Sequence, residues 1–297
     1  MKKFEGTFVV SVTPMTKDEE LDLESFKDNL DYNHENGVHG IAGNGSTGEF
    51  AAQSLEELKS VMDAAVEAVD GRVPLISGTA ACSTLRVIEL TKYAEEAGVD
   101  GALIVPPYYS KIDMEEVYQH FRVINEAVNL PIMVYNNPWT CKIDIPPEGL
   151  ARLSELDNVR YVKESSGDIT RIPRILDLTK GKMVVFCGSD NLALESFFMG
   201  AMGFICVGAN IFPKHMSKLY EYANWEKDYD KAKSLYSAVL PLGNFLEGSG
   251  KFTQGAKYGL EYLGRKAGPS RKPLLPLSDE HKKQAEEIFK RIQSVQL

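Results

Sequence analysis

The sequence predicts a single (β/α)8 barrel, a TIM barrel of the α/β class, followed by a helical C-terminal extension. Short β-branched segments alternate with amphipathic segments through most of the chain. They recur at intervals of about 25–35 residues, the spacing expected when a helix returns the chain after each barrel strand. The alternation ends near residue 224, and only helix-like segments follow. We therefore expect the barrel over residues 1–224 and the extension over residues 225–297.

Eight short segments rich in β-branched and aromatic residues predict the barrel strands. A doubly wound parallel sheet is the competing fold, but it usually has fewer strands and a less even spacing. The regular rhythm therefore favours the barrel. The predicted strands are residues 8–12, 38–42, 74–77, 101–105, 131–135, 159–163, 183–187 and 204–207.

Helix-like segments lie between these strands and beyond the last one. Ser54 and Glu57 predict a capping box, in which each side chain accepts a hydrogen bond from the other residue's backbone amide. Gly98 stands where a left-handed residue would end a helix. One apolar stripe, predicted to be buried, comprises Leu85, Ile88, Leu90, Tyr93 and Ala94. The predicted helices are 23–36, 54–69, 83–97, 114–128, 147–156, 169–179, 191–200, 213–223, 226–246, 251–263 and 279–295.

Composition excludes two classes of partner. The net charge is −9 and the isoelectric point about 5.2, and an acidic surface repels the phosphate backbone of nucleic acids. No apolar run approaches the ~18 residues of a membrane span, and the N-terminal residues lack the pattern of a signal peptide. We therefore expect a cytoplasmic protein that binds neither nucleic acid nor membrane.

The four cysteines are Cys82, Cys141, Cys187 and Cys206, and no two of them form a C-x-x-C pair. A chain of 297 residues needs no disulfide framework to build a core. We expect isolated, buried thiols.

In a barrel of this type, catalytic groups lie at the C-terminal ends of the strands. The predicted second strand ends in a G-x-G-x-x-G pattern, residues 43–48. This pattern also occurs in dinucleotide-binding loops, but there a helix must begin at once to hold the pyrophosphate. Here the helix is predicted only from Ser54. A nest of backbone amides and hydroxyls that binds a carboxylate and a glycine loop without function both remain open.

The predicted sixth strand ends at Lys163, and the fifth at Tyr135. Burial disfavours the charged form of an amine, and a neutral lysine can attack a ketone to form an imine. A tyrosine on the neighbouring strand can relay the protons of that reaction. The alternatives are a lysine whose ammonium extends to the rim and a tyrosine buried for packing.

Metal chemistry and two other site types are disfavoured. The histidines form no H-x-x-x-H or H-x-H group, and none follows a predicted strand. They are His34, His39, His120, His215 and His281. The chain also lacks a phosphate-binding P-loop and the nucleophile elbow of a serine hydrolase.

Three motifs, taken together, resemble the dihydrodipicolinate synthase and N-acetylneuraminate lyase family. They are Gly45-Ser46-Thr47-Gly48-Glu49, Tyr135-Asn136-x-Pro138 and Lys163-Glu164-Ser165-Ser166-Gly167-Asp168. Their order and spacing match over essentially the whole chain. The resemblance implies a TIM barrel, usually a homotetramer or dimer, that binds a 2-oxo acid such as pyruvate, and in some reactions an aldehyde. It implies a covalent imine and neither a metal nor an organic cofactor.

The resemblance also implies roles for individual residues. Lys163 matches the Schiff-base lysine, and Tyr135 matches the proton-relay tyrosine. Ser46 and Thr47 match the pair that holds the 2-oxo acid carboxylate, and Thr47 also joins the relay. Tyr109 matches a tyrosine that crosses a dimer interface into a neighbour's site.

Other positions concern the rest of the substrate. Gly188 and Asp190 match positions near the substrate tail, and we place Val207, at the end of the predicted eighth strand, in the same group. Thr140 stands where the synthases carry an arginine that binds the carboxylate of aspartate semialdehyde, and Lys142 could replace the missing charge. Gly250-Lys251-Phe252-Thr253-Gln254 replaces the family's Asn-Pro-Ile-Pro segment.

These departures favour a 2-keto-3-deoxy sugar-acid aldolase or dehydratase. A hydroxyproline-pathway deaminase, a 4-hydroxy-tetrahydrodipicolinate synthase and an N-acetylneuraminate lyase are the alternatives within the family. The non-enzymatic alternative is a protein on the same scaffold that binds a 2-oxo acid without converting it.

Overall fold

The computed structural model describes residues 3–297 and shows a closed barrel of parallel strands in the order β1 to β8. Each strand pairs with the next, and β1 closes the barrel on β8, where Gly6 lies opposite Gly203. The predicted TIM barrel is confirmed. The strands are β1 (Gly6–Val10), β2 (Gly40–Gly43), β3 (Leu75–Gly78), β4 (Gly101–Ile104), β5 (Ile132–Asn136), β6 (Val159–Glu164), β7 (Val184–Cys187) and β8 (Gly203–Cys206).

Helices connect the strands and continue beyond the last one. In the barrel they are α1 (Leu23–Glu35), α2 (Leu55–Val69), α3 (Thr84–Ala97), α4 (Met114–Ala127), α5 (Pro138–Cys141), α6 (Pro147–Leu153), α7 (Arg171–Thr179), α8 (Ala193–Phe198) and α9 (Pro213–Tyr220). After a π-helical turn at Glu221–Trp225 come α10 (Tyr229–Gly248), α11 (Phe252–Tyr262) and α12 (Asp279–Gln293). Short 3₁₀ turns lie at Phe50–Ala52, Asp190–Leu192 and Gly208–Asn210.

Two local signals are confirmed. Ser54 Oγ accepts a hydrogen bond from the Glu57 amide at 3.2 Å, and Glu57 Oε2 accepts one from the Ser54 amide at 2.7 Å. Gly98 ends α3 with φ +95°, in the left-handed region that glycine adopts without strain. These ends fix where α2 begins and where the chain turns towards β4.

Three expectations need correction. The first strand begins at Gly6 rather than at residue 8, because its pairing with β8 starts there, whereas its pairing with β2 starts only at Phe8. The predicted stripe on α3 is partly wrong, since Leu85 is exposed. Cys82 is also exposed, whereas Cys141, Cys187 and Cys206 are buried as expected, and all four thiols are free.

One hydrophobic core joins the barrel to the C-terminal helices. Leu242 and Leu246 of α10, and Phe289 and Ile292 of α12, are buried in the same cluster as the barrel residues. The division at residues 224 and 225 therefore remains a proposal about organisation, because the extension packs directly on the barrel. Within residues 3–297, none of the helices is both long enough and apolar enough to cross a membrane.

Candidate active site

A cavity of about 650 Å³ opens at the C-terminal end of the barrel strands. Its volume lies within the range of small-molecule sites, about 300–1,000 Å³. Segments that follow β2, β5, β6, β7 and β8 line it, and so does the end of α10. The lining residues are Val10, Gly45, Ser46, Thr47, Leu103, Tyr135, Asn137, Trp139, Thr140, Lys163, Ser165, Gly167, Gly188, Ser189, Asn191, Leu192, Val207, Glu247, Gly250 and Phe252.

Lys163 and Tyr135 meet in this cavity. They lie opposite each other in the parallel pairing of β6 with β5, as the sequence predicted. Lys163 Nζ lies 4.0 Å from the centroid of the Tyr135 ring. The two residues are only 5% and 8% exposed. An amine and a phenol are thus held together, and little of either side chain is exposed.

Asn137 orients the Tyr135 hydroxyl. Asn137 Nδ2 donates a hydrogen bond to Tyr135 Oη at 2.9 Å. Because the phenol oxygen accepts this bond, its own proton remains available for another acceptor in the cavity. Sequence reasoning did not select Asn137, although it stands two residues after the tyrosine and within the quoted motif.

The loop after β2 places Ser46 and Thr47 at the cavity wall. The amides of Gly48 and Glu49 donate to the carbonyls of Gly45 and Ser46 at 3.0 Å each, which folds the loop into a tight turn. Within residues 3–297, the amides and hydroxyls of Ser46 and Thr47 make no hydrogen bond. They form a set of donors that suits a carboxylate.

Behind the lysine, a buried polar network fixes the ends of β5 and β6. Asn136 Nδ2 donates to both carboxylate oxygens of Glu164 at 3.2 Å, and the Ser166 amide donates to one of them at 2.7 Å. Arg171 Nε lies 3.6 Å from Glu164, and its guanidinium also binds Asp144 at 2.7 Å. Burial raises the pKa of Glu164, and these partners oppose the shift. The network holds the backbone that carries Tyr135 and Lys163.

Gly188 leaves room for the lysine. A Cβ atom there would lie 1.8 Å from Ser165 Oγ and 3.0 Å from Lys163 Cε. Val207 and Thr140 also line the cavity, and their predicted contact with the substrate stays a prediction. The structure thus brings most of the predicted site residues around one space.

Asp190 lies beside the cavity without lining it. Its carboxylate accepts hydrogen bonds from the amides of Val207 at 3.1 Å and Gly208 at 2.6 Å. Burial raises its pKa, whereas these amides and Lys163 oppose the shift. The carboxylate therefore holds the chain that follows β8, and its predicted contact with the substrate tail stays a prediction.

Tyr109 is 78% exposed and does not line the cavity of its own chain. The Lys142 ammonium donates to the Tyr109 carbonyl oxygen at 3.1 Å, outside the cavity lining. The interface role of Tyr109 remains a prediction. The structure gives no support to Lys142 as a replacement for the arginine.

Glu247 enters the cavity from α10, and sequence reasoning missed it. Its Oε1 accepts a hydrogen bond from the Asp190 amide at 3.2 Å. The residue is exposed and lines the open cavity. Burial first, and then the negative charge of Asp190, raise the pKa of Glu247 to about 7, while the hydrogen bond from the Asp190 amide and the charge of Lys163 oppose the shift.

Neither a metal site nor a dinucleotide-binding loop fits the described residues well. Within residues 3–297, no three His, Cys, Asp or Glu residues are grouped so that they could hold a metal ion. After the glycine-rich loop comes a 3₁₀ turn at Phe50–Ala52, and α2 begins only at Leu55. The α2 N-terminus thus starts seven residues after Gly48, which disfavours the dinucleotide interpretation.

Comparison with known proteins identifies relatives along nearly the whole chain. The model of the dihydrodipicolinate synthetase family matches residues 3–292. A 4-hydroxy-tetrahydrodipicolinate synthase of Desulfotalea psychrophila is 37% identical over 282 residues, covering 95% of this chain and 94% of the relative. One of Methanosarcina barkeri is 38% identical over 291 residues, covering 97% and 98%.

The fold also matches a solved structure. The chloride-inhibited dihydrodipicolinate synthase of Acinetobacter baumannii, determined in complex with pyruvate, superimposes with a TM-score of 0.94 at 36% identity. The match covers 99% of this chain and all of that one.

Proposed function

Since the chain belongs to the dihydrodipicolinate synthetase family of imine-forming lyases, we propose that Lys163 forms the covalent imine with a 2-oxo acid such as pyruvate. Enzymes of this family use this lysine imine and no external cofactor. The observation that carries the assignment is the position of Lys163 Nζ, 4.0 Å from the Tyr135 ring inside the cavity.

The first half of the reaction uses the groups around Lys163. The carboxylate of the 2-oxo acid binds the amides and hydroxyls of Ser46 and Thr47. The Lys163 amine attacks the keto carbon and forms a C–N bond, and the keto oxygen becomes the hydroxyl of a carbinolamine. Tyr135, with Thr47, transfers the proton that lets this hydroxyl leave as water.

The second half uses the imine as an electron sink. Loss of a proton from the neighbouring carbon gives an enamine, which adds to an aldehyde in the synthetic direction. In the reverse direction, the C–C bond breaks and its electron pair enters the imine. Expulsion of a β leaving group from the same intermediate gives a dehydratase.

The cavity favours a second substrate with a neutral tail. Among its lining residues, Lys163 is the single lysine or arginine, and Thr140 stands where the synthases place an arginine. A tail carboxylate needs a cation for strong binding. We therefore propose a 2-keto-3-deoxy sugar-acid aldolase or dehydratase.

A 4-hydroxy-tetrahydrodipicolinate synthase is the second candidate, because the relatives described above carry that name. Coupled assays with pyruvate and aspartate semialdehyde separate the two candidates. Turnover of the semialdehyde at a rate typical of enzymes would favour the synthase.

Both candidate functions require the imine at Lys163. This step is tested by borohydride trapping of the purified protein with pyruvate, followed by peptide mass spectrometry. We expect an adduct on Lys163 and none in Lys163→Ala. Lys290→Ala, which removes an exposed lysine on α12, is the matched control and should keep the adduct. An adduct on another lysine, or none in the wild-type protein, would refute the proposal.

We also propose a cytoplasmic homotetramer or dimer, in which Tyr109 reaches a neighbour's cavity. Its exposure in the single chain is consistent with burial at an interface. Sedimentation analysis tests the assembly. Tyr109→Phe should lower turnover without altering the sedimentation coefficient.

A further inference from the structure

The last two turns of α10 pack against the chain that follows β7. A Cβ atom on Gly243 would lie 2.8 Å from the Asn191 amide nitrogen, so only glycine allows this approach. Glu247 follows four residues later and therefore lies on the same face of the helix. This close packing brings Glu247 to the Asp190 amide and into the cavity.

The Glu247 carboxyl is only partly satisfied within the chain. Oε1 accepts a hydrogen bond from the Asp190 amide, and within residues 3–297 the carboxyl forms no salt bridge and accepts no other hydrogen bond. Asp190 does not take its place, because its side chain is buried outside the cavity lining and its carboxylate accepts hydrogen bonds from the amides of Val207 and Gly208. Glu247 is thus the acid that faces the contents of the cavity.

Two neutral hydrogen-bonding side chains line the same cavity as this acid. Asn191 lines the cavity, and its Nδ2 donates to Asn244 Oδ1 at 3.2 Å, which leaves its side-chain oxygen Oδ1 to accept. Ser165 lines the cavity too, is 7% exposed, and has a buried hydroxyl without a hydrogen-bond partner in the described chain. Acceptors and hydroxyls of this kind bind alcohol groups well.

The volume of the cavity also exceeds the needs of pyruvate. At about 650 Å³ it has the size of a site for a larger molecule. If the 2-oxo acid end occupies Ser46, Thr47 and Lys163, the rest of a longer substrate extends towards the segment after β7 and the end of α10.

From these observations we infer that Glu247 and Asn191 form a subsite for the hydroxyl groups of a 2-oxo acid tail, and that Glu247 discriminates against tails that end in a carboxylate. The inference rests on the proposed imine at Lys163. A carboxylate accepts hydrogen bonds from hydroxyls but repels a second carboxylate. Glu247 is therefore a specificity-determining residue, supplied by the C-terminal extension rather than by the barrel.

The experiment measures the concentration of a 2-oxo acid that gives half-maximal borohydride-trapped adduct. Pyruvate has no tail, 2-keto-3-deoxygluconate has a tail of neutral hydroxyls, and 2-oxoglutarate has a tail that ends in a carboxylate. The values for the latter two are expressed relative to pyruvate for each variant. This readout requires no turnover, and intact mass shows that the protein is modified.

In Glu247→Gln we expect the relative value for 2-keto-3-deoxygluconate to rise roughly tenfold, the effect of weakening hydrogen bonds to a charged group. The relative value for 2-oxoglutarate should fall, because the repulsion is removed. Asn191→Ala should raise only the value for 2-keto-3-deoxygluconate. Glu287→Gln, which removes the same charge from an exposed position on α12, should change neither.

The outcomes separate the inference from the function on which it rests. Absence of a pyruvate adduct in the wild-type protein would refute the proposed function itself. A wild-type adduct combined with unchanged relative values in both Glu247→Gln and Asn191→Ala would overturn the tail subsite. Loss of the pyruvate adduct in Glu247→Gln, with normal values in Asn191→Ala, would also overturn it, since Glu247 would then act on Lys163.

Discussion

Lys257→Met would break a buried ion pair between the C-terminal extension and the loop that carries Ser46 and Thr47. Lys257 Nζ lies 2.6 Å from Glu49 Oε1, and both side chains are 3% exposed. The same ammonium donates to the Pro269 carbonyl at 2.8 Å. The other oxygen of Glu49 accepts the Arg271 amide at 2.7 Å. Glu49 thus ties two parts of the extension to the loop after β2.

The expected loss is large because one charge would remain buried. Burial lowers the pKa of Lys257, and Glu49 opposes this shift, so the charge of Lys257 depends on Glu49. Removing one partner of such a pair typically costs about 3–5 kcal/mol of unfolding free energy. Replacing both charges, in Glu49→Gln/Lys257→Met, should recover at least about half of that loss, because no unpaired charge is left.

Equilibrium unfolding in urea measures the free energy of unfolding of both variants. The pyruvate concentration that gives half-maximal adduct in the trapping assay shows whether the loop still binds the 2-oxo acid. We expect Lys257→Met to raise that concentration, since Glu49 directly follows the loop that presents Ser46 and Thr47. A loss below about 1 kcal/mol in Lys257→Met would refute the reasoning. So would a double variant no more stable than the single one.

Three further predictions concern the cavity. Tyr135→Phe should slow turnover by roughly 10²–10⁴-fold, the usual contribution of a positioned acid or base; a steady-state rate within threefold of the wild-type rate would contradict it. Gly188→Ala should slow adduct formation with pyruvate at least tenfold, because the new methyl group would overlap Ser165 Oγ and crowd Lys163 Cε; wild-type trapping kinetics would disprove this. Glu247, with its pKa raised to about 7, gains a proton as the pH falls from 8 to 6. Binding of 2-oxoglutarate relative to pyruvate should therefore improve at pH 6. The same pH dependence in Glu247→Gln would exclude Glu247 as its source.

The floor of the cavity could be predicted from the sequence, because it depends on strand ends. Lys163 and Tyr135 each end a β-branched segment, and parallel strands of a barrel place such ends at one face. The observed pairing of Tyr135 with Lys163 follows from this rule and from the adjacency of consecutive strands. The loop of Ser46 and Thr47 belongs to the same face for the same reason.

The face that a helix buries was harder to predict. In α3 the buried positions are Val87, Leu90, Thr91 and Ala94, whereas Leu85 is exposed. Thr91 takes a core position because its hydroxyl bonds to Thr79 Oγ1 at 2.8 Å and to the Val87 carbonyl at 2.7 Å. A search for apolar residues at helical spacing does not detect a buried polar residue whose hydrogen bonds are satisfied. The predicted stripe therefore lacked Thr91 and included the exposed Leu85.

Glu247 could not be found from periodicity for a different reason. The hydrophobic pattern predicted both ends of α10 to within two or three residues. It contains no information about where that helix crosses the barrel. The crossing depends on the contact of Gly243 with Asn191, which only the folded chain reveals. The absence of the family's Asn-Pro-Ile-Pro segment at residues 250–254 was the one signal that this end of α10 differs from that of the synthases.

The imine-forming part of the site lies on barrel strands, whereas the proposed tail subsite includes a residue of a helix, and the two are held in place differently. Lys163 and Tyr135 lie on strands whose register is fixed by hydrogen bonds on both sides, and Glu164 and Arg171 hold those strand ends in place. Glu247 lies on a helix that meets the barrel through side-chain packing and one backbone contact. A substitution at the end of α10 can therefore alter which tail is accepted while the strands that hold the lysine keep their geometry. Substrate choice in this chain is thus expected to vary with the extension, and imine formation with the barrel.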